Sequence, residues 1–370
     1  MRLIPALALV VLTAAPSLAQ HPVRAAVKSD GLVYVSGVVA AGPDVTAQAT
    51  AAIEKIAATL KAEGSTLANV ANVSVVLKSA ADMAAVNAVF AKSWPKDPPA
   101  RTTIIVDQPL TSAGALVELA VTAIPAGGER IVVLPAGWLK PPAPYSYGIK
   151  TGNTLFLAGL VSRNGADNTY VTGDMTVQTK TVMTAAAAIL EAAGMTLADV
   201  VSSRVFVSDP AAFQTMNNEY RTHFPMSPPA RATVKATLPN ADYLVEIAMV
   251  AVKDPQRKQI VPPNADDTPG RAGANLSPAI QVGRRLYVAG MTGNTPTNKG
   301  DVKAQTEEVL ARLGRALTAA GYTWSDVVEA TAFLPEMARV AEMDAAYKAV
   351  FPKDFPVRFT MGTPLMGADG

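Results

Sequence analysis

The chain says one thing three times, and that repetition limits what it can fold into more than any other feature. Three acidic anchors open three similar stretches: Asp44 in DVTAQ, Asp174 in DMTVQ and Asp301 in DVKAQ. Four residues on stand Gln48, Gln178 and Gln305. Offsets of 9, 12 and 16 give Ile53, Ile56 and Leu60, then Met183, Ala186 and Leu190, then Leu310, Leu313 and Leu317. Offset 20 gives Gly64, Gly194 and Gly321; offset 26 gives Val70, Val200 and Val327; offset 57 gives Arg101, Arg231 and Arg358. No gap is needed over 58 positions. Chance does not produce such a register, so one domain is used three times.

Each copy reads physically. The anchor Asp is a good helix N-cap. Apolar residues spaced by three and four lie on one helical face, and Gly at offset 20 suits a helix C-terminus. A strand follows: VANVSVVL, VVSSRVFV or VVEATAFL. A second helical stretch comes next, over 83–94, 213–224 and 340–351. Pro before the Arg-bearing strand biases the backbone to an extended form, as in PPARTTIIV, PPARATVKA and FPVRFTMG. A last strand closes copies one and two, ALVELAVTA and YLVEIAMVA, and a strand ending in Gly37, Gly159 or Gly290 precedes each anchor. The predicted order is β-β-α-β-α-β-β, an α/β layer with helices on one face of a sheet. Domains are expected over 21–126, 143–253 and 274–370, joined by Pro- and Gly-rich linkers over 125–144 and 253–273. The third copy stops before its last strand, so the sequence reads as a fragment there. A missing strand would leave unpaired backbone groups at a sheet edge.

Composition narrows the function. Of 370 residues, 49% are hydrophobic and 17% charged, which is not the composition of a disordered chain. The net charge of +2 is small for a nucleic-acid binder. With no cysteine, and only His21 and His223 as histidines, neither a thiol nucleophile nor a metal site is expected. His223 does not recur between copies, and Trp94, Trp138 and Trp324 read as packing residues. Residues 1–20 carry Arg2, an apolar run from Leu3 to Ala15 and Ser17-Leu18-Ala19. They read as a secretory signal peptide, since the run is shorter than the roughly 20 residues that span a bilayer. A periplasmic or secreted protein, free of the membrane once mature, is expected.

APYSYGIKTGNTLFLAG in copy two, the SG of LVYVSG, the PAR-x-T-V pattern, VNAVF and MNNEY before the arginines, and the LVE and MGADG segments occur in order. As a set they resemble the Rid family, the YjgF-type reactive-intermediate deaminases also called L-PSP endoribonucleases. That resemblance covers residues 21–370 and implies a chorismate-mutase-like α/β domain that assembles as a trimer with ligand clefts between subunits. Here it implies a pseudo-trimer within one chain. Short linkers then hold the copies at an effective concentration of about millimolar or above.

Arg101, Arg231 and Arg358 are the leading site candidates, because a permanently charged guanidinium fork grips a carboxylate bidentately. A structural salt bridge is the competing reading of each. By the resemblance, Glu118 and Glu246 on the following strand activate water; a plain ion pair between strands is the alternative. Burial would raise the pKa of such a carboxylate and suit it to acid–base work. The remaining family positions are unevenly kept. The substrate-facing Tyr is Tyr145 in copy two, but Val23 and Leu276 elsewhere. The hydroxyl is Ser36 in copy one, against Ala158 and Ala289. The Asn is Asn87 and Asn217, against Asp344. The family's Cys is replaced by Thr103, Thr233 and Thr360. Gly37, Gly159 and Gly290, with the backbone near Thr103 and Thr233, complete the expected substrate contacts.

The resemblance implies a cofactor-free hydrolase of small 2-aminoacrylate-like imines carrying a carboxylate, with a 2-keto acid and ammonia as products. The alternatives are a carboxylate-binding scaffold of the same fold and an endoribonuclease. The ribonuclease is poorly supported by the +2 charge, 6% aromatics and absence of a repeated histidine pair.

Overall fold

The computed structural model describes residues 22–351 and 353–366; the signal-peptide segment lies outside them. Copy one runs β1 (Ala26–Ser29), β2 (Leu32–Val38), α1 (Val45–Ala62), β3 (Val70–Leu77), α2 (Met83–Ser93), β4 (Ala100–Ile105) and β5 (Val117–Ala123). Copy two runs β6 (Ile131–Val133), β7 (Gly148–Thr151), β8 (Thr154–Leu157), α3 (Met175–Ala192), β9 (Val200–Val207), α4 (Phe213–Tyr220), β10 (Ala230–Lys235) and β11 (Val245–Val252). Copy three runs β12 (Lys258–Ile260), β13 (Ala279–Val282), β14 (Arg285–Val288), α5 (Val302–Ala319), β15 (Glu329–Leu334), α6 (Val340–Val350) and β16 (Val357–Gly362).

The repeated residues have physical jobs. Asp44, Asp174 and Asp301 each accept a hydrogen bond from the backbone N–H three residues on, which caps the long helices. Gly64, Gly194 and Gly321 just beyond those helices have φ of +72°, +73° and +81°, where a Cβ would be strained. Gln48 and Gln178 are buried, and each receives the backbone N–H of the residue leading into the last strand, Leu116 or Leu244. The helix start is thereby tied to that strand. The strand β3 is apolar along nearly its whole length and buried at every position. One face meets the helices and the other meets the neighbouring copies, so no alternation is needed.

The first sheet has the order β1-β2-β5-β3-β4, and the second β10-β9-β11-β8-β7-β6. In both, the Arg-bearing strand lies at the edge, parallel to its neighbour. The three copies close into a ring. Gly159 N–H donates to Arg101 O and Gly290 N–H to Arg231 O. Arg358 N–H donates to Ser36 Oγ across the third junction. An apolar core shared by all three copies, including Val76, Ile104, Phe206, Val234, Phe359 and Met361, fills the centre. Edge strands that would otherwise invite other chains are covered by the next copy.

Two sequence expectations change. The linkers carry the short strands β6 and β12, which extend the second and third sheets through β7 and β13. Both pair before the Pro-rich stretch begins, β6 as Ile131-Val132-Val133 and β12 as Lys258-Gln259-Ile260. The last strand of copies one and two, β5 or β11, is central in its sheet, and among the described residues copy three has no strand in that place. Among the described residues the third sheet is therefore split into β12-β13-β14 and β15-β16. Helix α5 buries only four side chains, where α3 buries nine. In the 370-residue chain, amides of β14 and β15 are expected to exchange at least tenfold faster than those of β8 and β9, measured by hydrogen exchange. Equal protection would contradict the split. Among the described residues no helix is long and apolar enough to cross a membrane.

Candidate functional site

Each junction receives one arginine from the edge strand of one copy and the Gly-ending strand of the next. All three guanidinium-bearing residues are buried, at 5%, 3% and 4% exposure for Arg101, Arg231 and Arg358. Each Nη2 meets a residue of its own copy's second helix: Arg101 and Arg231 donate hydrogen bonds to Asn87 Oδ1 at 2.8 Å and Asn217 Oδ1 at 2.6 Å, and Arg358 forms an ion pair with Asp344 Oδ1 at 2.7 Å. Each also lies over an aromatic ring of that helix: Phe90 at 4.9 Å, Tyr220 at 4.7 Å and Tyr347 at 4.8 Å. These rings were not singled out as site residues in the sequence. The signal was present, because all three stand at offset 46, three residues after the Asn or Asp on the same helical face. Arg101 Nη1, Arg231 Nε and Nη1, and Arg358 Nε and Nη1 are buried donors without a hydrogen-bond partner among the described residues. A buried charged donor left unpaired is costly, and an anionic ligand would satisfy it.

The first seam is the most complete. Arg101 from copy one also lies under the Tyr145 ring of copy two, at 5.8 Å. Glu246 of copy two reaches across and accepts the Thr103 N–H at 3.3 Å. Burial pushes the Glu246 carboxyl up to about 8; the Thr103 hydrogen bond and Arg101 oppose that shift without cancelling it. Burial lowers Arg101 to about 10, so it stays charged near neutral pH. Burial likewise raises Tyr145, keeping its phenol protonated. A largely neutral Glu246 at pH 7 leaves the positive charge of Arg101 uncompensated, which favours anion binding.

The second seam keeps Arg231, Asn217 and Tyr220 but has Leu276 where Tyr145 stands. Among the described residues no copy-three strand offers a carboxylate to match Glu246. A cavity of about 310 Å³ opens at this seam, lined by Arg221, Phe224, Gln259, Gly273 and Ala274 among others. Neither Arg231 nor a carboxylate lines it, so its size does not make it the chemical centre. The third seam joins Arg358 to copy one, where Ser36 is buried and Val23 replaces the tyrosine. Glu118 belongs to this seam, since a Cβ on Gly37 would lie 2.1 Å from its Oε1 and 3.0 Å from Phe359. Thr111 donates to Glu118 Oε2 through Oγ1 at 2.8 Å.

The candidates therefore group by junction and not by copy. Arg101 meets Glu246 and Tyr145, while the Arg358 N–H meets Ser36 and Glu118 lies beside Gly37 in that same seam. The N–H of Thr103 is directed at Glu246 instead of standing open for a substrate carboxylate. Thr233 Oγ1 is buried without a hydrogen-bond partner among the described residues. The glycines are needed for close approach. A Cβ on Gly159 would fall 1.9 Å from Glu246 Oε1, and one on Gly290 would fall 2.8 Å from the Cβ of Ala232. His223 instead pairs with Glu219, four residues earlier on the same helical stretch. Among the described residues no cluster of three metal-binding side chains occurs.

A ring of three α/β units, with a buried guanidinium in every seam, defines a trimer-like assembly folded from a single polypeptide. The chain belongs to the endoribonuclease L-PSP family, whose model matches residues 13–125, 138–253 and 268–369. RutC family proteins of Sulfurisphaera tokodaii and Pyrococcus horikoshii are 40% and 41% identical over 114 and 115 residues, or 31% of this chain and 91% of each relative. Single-copy structures are also similar. The YjgF gene product of E. coli is 28% identical, with a TM-score of 0.32 over 33% of this chain and 98% of its own. RidA from an Antarctic Psychrobacter is 26% identical, with a TM-score of 0.30 over 34% of this chain and 100% of its own.

Proposed function

We propose that the first seam hydrolyses small 2-imino acids to 2-keto acids and ammonia. The observation that carries this reading is the buried Arg101, with Nη1 lacking a hydrogen-bond partner among the described residues, in one seam with a carboxyl raised to about 8. Arg101 holds the substrate carboxylate and Tyr145 covers it. Ionised Glu246 takes a proton from water as the water oxygen bonds to the iminium carbon. Glu246 passes that proton to nitrogen, then takes the hydroxyl proton as the C–N bond breaks, so ammonia leaves as the carbonyl forms. These steps use only side chains of this chain.

The test supplies purified protein with 2-iminopropanoate generated in situ. Ammonia release well above the buffer rate supports the proposal; release at the buffer rate overturns it. A second reading, carboxylate binding without turnover, draws on the second seam, which lacks both Tyr and Glu counterparts. Calorimetry with 2-keto acids showing binding but no catalysis would favour it. Salt-dependent RNA binding would revive the ribonuclease reading. The proposed location, periplasmic or secreted, draws on the sequence of residues 1–20 alone.

A further inference from the structure

The three seams differ by one atom at the position that steadies the arginine. Asn87 and Asn217 present a neutral amide oxygen to Nη2, whereas Asp344 presents a carboxylate at 2.7 Å. The side chains of Arg358 and Asp344 are 1% and 10% exposed, so solvent screens the pair little. The rest of the third seam keeps what an anion site needs: among the described residues Arg358 Nε and Nη1 have no hydrogen-bond partner, and Tyr347 lies beneath the guanidinium. The charge of Arg358 is already balanced. A carboxylate binding its free edge would sit one guanidinium width from the Asp344 carboxylate, and like charges at that separation inside a protein repel strongly.

We infer that Asp344 is a specificity-determining residue that closes the third seam to carboxylate ligands by neutralising Arg358 from within. The inference rests on reading these arginines as carboxylate clamps. It makes the sequence difference between copies functional: the ring discriminates between its own seams by charge. Asn is already the residue at the two sister positions, so Asp344→Asn keeps the shape and leaves a neutral amide oxygen facing Nη2.

The probe is pyruvate, followed by calorimetry on the full chain. In an Arg101→Ala/Arg231→Ala background, whose remaining seam arginine is Arg358, binding is expected to be lost. Adding Asp344→Asn is expected to restore one site per chain, at least tenfold tighter than any residue of binding in the double variant. In the otherwise unaltered chain, Asp344→Asn alone is expected to raise the stoichiometry by one, and Arg358→Ala to remove the gain. That single substitution decides the matter if the multiple variant does not fold. Failure of Asp344→Asn to add a site overturns the inference, as does an Arg358-dependent site already present beside Asp344. Absent turnover, or imine hydrolysis that ignores Arg101, would defeat the catalytic proposal and leave these stoichiometries unchanged.

Discussion

Replacing Arg101 by Ala is expected to lower kcat/KM for imine hydrolysis by roughly 10²–10⁴, because removing one member of a buried charge pair costs about 3–5 kcal/mol. The pair in question is the guanidinium and the substrate carboxylate, since Asn87 already occupies Nη2 and Nη1 has no hydrogen-bond partner among the described residues. Arg101→Lys should fall between the two, since an ammonium keeps the charge and loses the planar fork. Arg231→Ala is the matched control. It removes an equally buried arginine, also stacked on an aromatic ring, from a seam with neither Tyr nor Glu counterpart. Its rate is expected to stay near that of the unaltered protein. The measurement is ammonia release, with thermal melts confirming that both variants remain folded. Equal losses in the two variants would mean that the arginines act through folding and not through substrate.

The repeat made the frame readable. Capping aspartates, left-handed glycines and the strand over 70–77 all fell where a residue recurring at one offset has one physical job. Recurrence says nothing about which copy faces which. Arg101 and Glu118 share a copy, yet the site joins Arg101 to Glu246, 145 residues further along the sequence, because edge strand β4 is covered by copy two. The aromatic at offset 46 was available to the same register, but Phe in one copy and Tyr in two hides it from a search for identical residues. The central place of β5 was also out of reach, since a strand last in its copy is central only because β2 and β3 pair on either side of it. The departures at Val23, Leu276 and Asp344 were visible as letters. Their grouping into one complete seam and two altered seams needed the ring.

The second large effect concerns Glu246 and has two independent signatures. Burial disfavours the ionised carboxyl, so its folded-state pKa of about 8 lies above the roughly 4.3 of an exposed Glu. If the ionised form takes the proton from water, the rate should climb with pH and level off near pH 8. Glu246→Gln should lose that limb and fall by about 10²–10⁴, the range for a positioned acid–base group. Stability must run the opposite way. Between the unfolded and folded values the native state holds a proton that the unfolded state has released, so stability falls as pH rises through that window. Glu246→Gln removes the linkage. Its melting temperature relative to the unaltered protein should therefore increase from about pH 5 to pH 8 and then stay level. A pH-dependent rate limb that survives in Glu246→Gln would assign the proton transfer to another group. A relative melting temperature independent of pH would show that Glu246 titrates as an exposed carboxylate, and Arg101 would then face a full negative charge in the empty seam.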